Sequence, residues 1–232
     1  NVGRPIRDEE GNLVEAIPAE EGQFVAVVFE KVPGDHASSE MWENGDLMEK
    51  LGRMLGKMHR LSKDFQPSDE KYRRLTWAKD NLTSMQIIQD GLTTEEAKIV
   101  YTKYQQLVDQ VSALPKDREN YGLVHFDVYG LNFFFHEGEI HLFDFDDSLY
   151  TWFANDIAIV FYYCPSFFRN DAKLLEQQAY RFFAGYTEEN EINPLWLEHM
   201  PAFLRMRDLI MYSVVLYEIP EEEWDDWCQN LV

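Results

Sequence analysis

Residues 125–132 read His125-Phe126-Asp127-Val128-Tyr129-Gly130-Leu131-Asn132, and a second polar cluster, Asp144-Phe145-Asp146, follows. Asp127, Asn132 and Asp144 are the side chains whose types and spacing suggest chemistry. A carboxylate beside a hydroxyl can accept its proton as the oxygen attacks. An amide oxygen and a second carboxylate are hard ligands of the kind Mg2+ takes, with phosphate and water completing its shell. The reaction that needs this set is phosphoryl transfer to a hydroxyl, where catalysis is mostly positioning and charge stabilisation.

Such groups need a frame. Two short apolar segments, 132–136 and 140–145, surround Glu137-Gly138, and this pattern predicts a β-hairpin. It folds Asn132 and Asp144 together, so both can face one metal, with Asp127 one short loop away. Upstream, 11–16 and 23–32 read as strands with a turn-like gap at 18–22, and Pro33-Gly34-Asp35 breaks the pattern. Leu47, Leu51, Met54, Leu55, Met58 and Leu61 fall at helical spacing, predicting a helix over 46–62 with a methionine-rich core face. A further helix is expected over 68–90. Thr93-Thr94-Glu95-Glu96 reads as a capping box for a helix running to Leu114, where Pro115 stops it. Helical patterns resume over 153–164, 171–186 and 194–217. The fold class is therefore α+β: a β-rich opening, then a mostly helical body interrupted by one hairpin.

The motif order resembles the kinase pattern H-R-D-x-x-x-x-N followed by D-F-G. Phe126 replaces the Arg, Asp146 replaces the Gly, and no long activation segment follows Asp144. These departures resemble the aminoglycoside phosphotransferase and choline kinase superfamily, whose loop reads H-x-D-x-x-x-x-N and whose metal motif often reads I-D-[FW]-[DEG]. Asn155-Asp156-Ile157-Ala158 looks like that family's downstream D-[LI]-A signature. The stretch 55–61 resembles its helix ending in a Leu/Met-His pair. The resemblance is strong over 122–158 and weaker across the rest of 11–217.

It implies a protein kinase-like fold and transfer of the γ-phosphate of ATP to a hydroxyl of a small molecule, with Mg2+ as cofactor. Asp127 would be the catalytic base, and Asn132 and Asp144 the metal ligands. His125 would support the loop, and Asp156 would brace it by hydrogen bonds. Phe29, Glu30, Lys31 and Val32 would form the hinge that meets adenine. The resemblance divides the chain into a remnant of the β-rich N-terminal lobe with the hinge, 1–34, and a helical catalytic lobe, 35–232. No glycine-rich loop or early Lys precedes the hinge, the first Lys being Lys31. The expectation is an N-terminal truncation of the small lobe, with weak MgATP binding by this chain. The alternative is an inactive kinase-like binding or scaffold module. That reading has to explain why Asp127, Asn132 and Asp144 are all present.

Other readings of these residues are blander. An Asp-x-Asp after a strand is also a phosphatase motif, but that motif carries Thr or Val where Ser148 stands, and no alternating βαβ pattern surrounds it. His136 and His141 flank the hairpin turn as a cross-strand surface pair. His59 reads as a packing histidine.

A net charge of −21 repels phosphate backbones, which argues against nucleic acid as a partner. The excess serves either solubility or attraction of a cationic small-molecule substrate. Glu218 to Asp226, with Trp224 and Trp227, fits both readings. Two cysteines without metal spacing, and no apolar run near the roughly 20 residues that span a bilayer, lead to a cytoplasmic expectation with no membrane partner.

Overall fold

The computed structural model describes residues 2–20, 22–78, 95–168 and 171–231. Strands β1 (Pro5–Ile6), β2 (Glu15–Ala19), β3 (Gly22–Ala26) and β4 (Val28–Phe29) form two antiparallel pairs, β1 with β4 and β2 with β3. The strand expected at 11–16 starts later. Asp8 holds the preceding chain in a turn, its Oδ1 accepting from the N–H groups of Glu10 (2.9 Å) and Asn12 (2.7 Å). Such side-chain bonds compete with a ladder. Pro18, expected in a turn, lies inside β2, where a two-stranded pair leaves an edge that tolerates it. The strand expected at 23–32 is interrupted at Val27, and 30–32 lie outside any strand.

Helices α1 (Ser39–Asn44) and α2 (Leu47–Ser62) follow, the second as its periodicity predicts. The helix expected over 68–90 does not form at 68–76. Glu70–Tyr72 makes one 3-10 turn capped by Asp69, and Thr76 bridges to Tyr150. The remainder of that helix from 79, and Thr93-Thr94 of the capping box, lie outside the described residues. Helix α3 (Glu95–Ser112) stops before Pro115.

Strands β5 (Tyr121–Val124), β6 (Phe133–His136), β7 (Glu139–Leu142) and β8 (Leu149–Trp152) carry the centre of the chain. The expected hairpin is β6–β7, with Phe133 opposite Leu142 and His136 opposite Glu139. Glu137 (φ 48°) and Gly138 (φ 84°) both adopt the left-handed backbone of a tight hairpin turn. The pairing of β5 with β8 was not anticipated. All four residues of β8 are buried, so the strand lacks the polar alternation that marks a half-exposed one.

Helices α4 (Phe153–Phe167), α5 (Ala172–Glu189), α6 (Met200–Glu218) and α7 (Asp226–Leu231) complete the body. Helix α4 is buried between two apolar clusters. Phe153, Ala158 and Ile159 join Trp77, Trp152, Tyr104 and Phe203 on one side; Ile157 and Val160 join Leu51, Leu55, Phe133, Phe182 and Tyr186 on the other. Met48 is in the second cluster, with Met54 and Met58 at its margin, so the methionine face of α2 is core. Full burial of Leu51 and Leu55 contributes about 1.5–3 kcal/mol each. Helices α2 and α5 pack backbone to backbone. A Cβ on Gly52 would lie 1.9 Å from the Phe182 carbonyl oxygen, and one on Gly185 would lie 1.9 Å from that of Glu49.

Candidate active site

Strand β5 leads into the loop that carries Asp127. Phe126 is buried there with φ 71°, a conformation that costs a bulky residue on the order of 1–3 kcal/mol. Its N–H donates to Asp156 Oδ1 at 2.8 Å. Asp156 sits in the first turn of α4, fully buried, and its Oδ2 bonds His59 Nε2 at 3.0 Å. His59 Nδ1 meets the Tyr186 hydroxyl at 2.8 Å, which also accepts from Asn190 Nδ2 at 2.9 Å. One arrangement of protons satisfies every member: Asn190 to Tyr186, Tyr186 to His59, His59 to Asp156. Asp156, expected to brace the loop, thus makes a hydrogen bond to the strained residue. The packing histidine, stacked 4.6 Å from Phe153, is the far side of the same network.

Asp127 is held from two directions. Asn132 Nδ2 donates to its Oδ2 at 2.8 Å and to its carbonyl at 3.0 Å. Arg207 Nη2, from the middle of α6, donates to its Oδ1 and also to the Tyr163 hydroxyl at 2.8 Å. Burial works against the Arg207 charge, but Tyr163 and Asp127 outweigh it and raise the guanidinium pKa. Burial lifts the Tyr163 phenol above its ordinary value, so it stays a neutral hydroxyl. Because Asn132 spends its amide nitrogen on Asp127, its oxygen remains as a ligand atom.

Asp144 follows β7 with φ 62°, its carboxylate exposed. The Phe143 N–H donates to the Asn132 carbonyl at 3.1 Å, which sets the two expected metal ligands on adjoining backbone. His125 is buried, bonds the Phe143 carbonyl at 3.0 Å and lies 4.6 Å from the Phe145 ring, so it ties the Asp127 loop to the Asp144 turn. Asp147 completes the acidic surround. Partial burial, then the charges of Asp127 and Asp144, push its carboxyl pKa up, against the pull of Arg207. Hard oxygens from Asn132 and Asp144, with the remaining positions left to phosphate and water, fit a Mg2+ or Ca2+ site.

A cavity of about 450 Å³ opens beside Asp144. Phe29, Glu30, Lys31 and Val32 line it together with Phe134, Phe143 and Asp144. The structure therefore brings the expected hinge and an expected metal ligand to one pocket. The Glu30 N–H is already taken by the Arg4 carbonyl at 2.8 Å. Lys31 and Val32 make no backbone hydrogen bond among the described residues, so their groups can meet a ligand.

Sequence reasoning missed Arg207, Tyr163 and Arg74. Arg74 donates to the carbonyls of Phe145 (3.0 Å) and Asp146 (3.1 Å), fixing the turn after Asp144 from the segment expected to be helical. A signal existed for Arg207: Arg205, Arg207 and Asp208 interrupt an otherwise apolar stretch. Of these only Arg207 is buried, and a buried charge needs a partner. The acidic C-terminal segment packs against α6, and the Trp224 indole donates to the Ile219 carbonyl at 3.0 Å. No helix among the described residues is long and apolar enough to cross a membrane.

Known proteins resemble this chain in sequence and in fold. Amicoumacin kinase of Bacillus subtilis (strain 168) is 35% identical over 233 residues, covering 96% of this chain and 68% of the relative. A solved amicoumacin kinase in complex with AMP-PNP, Ca2+ and Ami superposes with TM-score 0.87 at 30% identity, covering 99% of this chain and 69% of that one. A microcompartment-associated aminopropanol kinase shares the fold, with TM-score 0.75 at 19% identity, 99% of this chain and 71% of that one. Fold and site together define a class, small-molecule phosphotransferases with a protein kinase-like fold. The chain belongs to the phosphotransferase enzyme family, whose model matches residues 6–195. The scaffold alternative gains no support from these relatives.

Proposed function

We propose that this protein transfers the γ-phosphoryl group of MgATP to a hydroxyl of amicoumacin or a closely related small molecule. The observation that carries the reading is the Asn132 amide, bonded to Asp127 through nitrogen and set beside Asp144 by the Phe143 N–H. The amicoumacin kinase relatives support the choice of acceptor, and the AMP-PNP and Ca2+ in the solved one support a nucleotide with a divalent cation.

In this reading Phe29, Glu30, Lys31 and Val32 hold the base of the nucleotide, and residues 1–34 serve as the nucleotide-side lobe to a catalytic lobe of 35–232. Asn132 and Asp144 hold Mg2+, which when bound offsets charge on the phosphates. His125 and Asp156 keep the loop in shape. The acceptor oxygen forms a bond to the γ-phosphorus as the bond to the β–γ bridging oxygen breaks. The hydroxyl proton passes to Asp127, and ADP leaves.

The test is a coupled ADP assay with MgATP and amicoumacin, with the product identified by its gain of one phosphoryl group. Asp127→Asn keeps the shape but removes the base, and the rate is expected to fall by roughly 10²–10⁴-fold. Near wild-type turnover in that variant would remove Asp127 from the role of base.

A further inference from the structure

Arg207 is an unusual residue to find where it is. It lies mid-way along α6, 7% exposed, among Phe203, Met206 and other core side chains. Its guanidinium carbon is 5.5 Å from the centre of the Tyr163 ring and 6.0 Å from that of Phe126. Nη2 bonds both Asp127 Oδ1 and the Tyr163 hydroxyl, while Nε is buried with no hydrogen-bond partner. An unpaired buried donor costs stability, and buried ion pairs are often replaced by apolar residues with no loss. Retaining a charge here under those terms points to a use other than holding the fold.

The use is visible from the side of Asp127. Its oxygens are held by different elements: Oδ2 by Asn132 at the start of the hairpin, Oδ1 by Arg207 from α6. A carboxylate gripped at both oxygens cannot rotate. Each oxygen keeps one further acceptor position, and those fixed positions define where a hydroxyl can stand. Tyr163 in turn pins the guanidinium, and the Tyr129 ring packs at a tilt against Tyr163, with centroids 4.8 Å apart, so the grip extends into an aromatic wall beside the base.

We infer that Arg207 is a positioning residue for phosphoryl transfer, orienting the Asp127 carboxylate toward the acceptor hydroxyl in concert with Asn132 and Tyr163. This rests on the phosphotransferase reading above. The described hydrogen bonds of Arg207 go to Asp127 and Tyr163, neither of which lines the pocket beside Asp144, so the effect is expected on the acceptor side.

The test compares Arg207→Gln and Arg207→Lys in the full chain, with three measurements: transfer from MgATP to amicoumacin, the slow acceptor-free hydrolysis of MgATP, and thermal melting. Misplacement of a reacting group by about 1 Å costs on the order of 10²-fold, so kcat of the Gln variant is expected to fall by roughly that factor with KM for MgATP unchanged. The Lys variant keeps the charge without the planar fork and is expected to fall between Gln and wild type. Should the Gln variant fail to melt cooperatively, the Lys variant carries the comparison. A folded Gln variant with wild-type kcat would overturn the inference. So would equal losses in both variants accompanied by a matching rise in KM for MgATP, since that marks general distortion. A wild-type protein that neither transfers nor hydrolyses would overturn the phosphotransferase reading itself, and this inference with it. An active wild type with unaffected Arg207 variants removes this inference alone.

Discussion

Removing the Asp156 carboxylate would strip the partner from two buried groups at once, the Phe126 N–H and His59 Nε2. Breaking a buried network by deleting one member costs about 3–5 kcal/mol. Asp156→Ala is therefore expected to lose stability in that range, read by urea denaturation. Its transfer activity should fall further than its folded fraction, because Phe126 no longer has a bond holding its left-handed backbone. A variant as stable as wild type would mean that packing alone fixes the loop. At this scale the sequence was informative where the chemistry is local. Asp127, Asn132 and Asp144 sit within one short stretch and keep a recognisable spacing, and Asp156 follows closely. Arg207 lies eighty positions beyond Asp127 in the chain, and nothing in its neighbours says which carboxylate it meets. Likewise the positive φ values of Phe126 and Asp144 come from tertiary contacts that override local preference.

At the scale of elements, α2 and the β6–β7 hairpin were legible because each carries its own period: an apolar stripe for the helix, a glycine turn between apolar runs for the hairpin. The β5–β8 pair was not, since its partners are far apart in sequence and β8 is buried throughout. The 68–76 segment was misread as helix because its contacts are also remote. Thr76 bridges to Tyr150, and Arg74 reaches the carbonyls after Asp144. The contact between α2 and α5 leads to a prediction of its own. Gly185 has no room for a side chain, since a Cβ there would meet backbone, the Glu49 carbonyl oxygen at 1.9 Å, and backbone cannot swing away. Overpacking a core typically costs about 1–3 kcal/mol and occasionally more. Gly185→Ala is expected at or above the top of that range by chemical denaturation. It should also separate His59 on α2 from Tyr186 on α5 and loosen the network behind the Asp127 loop. Equal stability in the Ala variant would show that the two helices can part without cost.

The whole molecule carries a net charge of −21, and its two substrates should feel that field in opposite ways. In the proposed function MgATP is an anion approaching an acidic protein, and the pocket beside Asp144 is lined by Lys31 and Arg74 but also by Glu30, Asp144 and Asp146. A cationic acceptor would approach the carboxylates around Asp127, including Asp147, whose carboxyl pKa is raised by desolvation first and by the charges of Asp127 and Asp144 after it. Salt shortens the reach of both effects, from about 30 Å at 0.01 M to about 10 Å at 0.1 M ionic strength. Raising ionic strength across that range at constant free Mg2+ is expected to lower KM for MgATP and to raise KM for a cationic acceptor. The two slopes, measured in one assay, separate the readings of the acidic composition. Opposite signs mean that the charge steers substrate. A flat acceptor response leaves the excess charge with solubility alone, and a rising KM for MgATP would mean that Lys31 and Arg74 outweigh the rest of the surface at the nucleotide pocket.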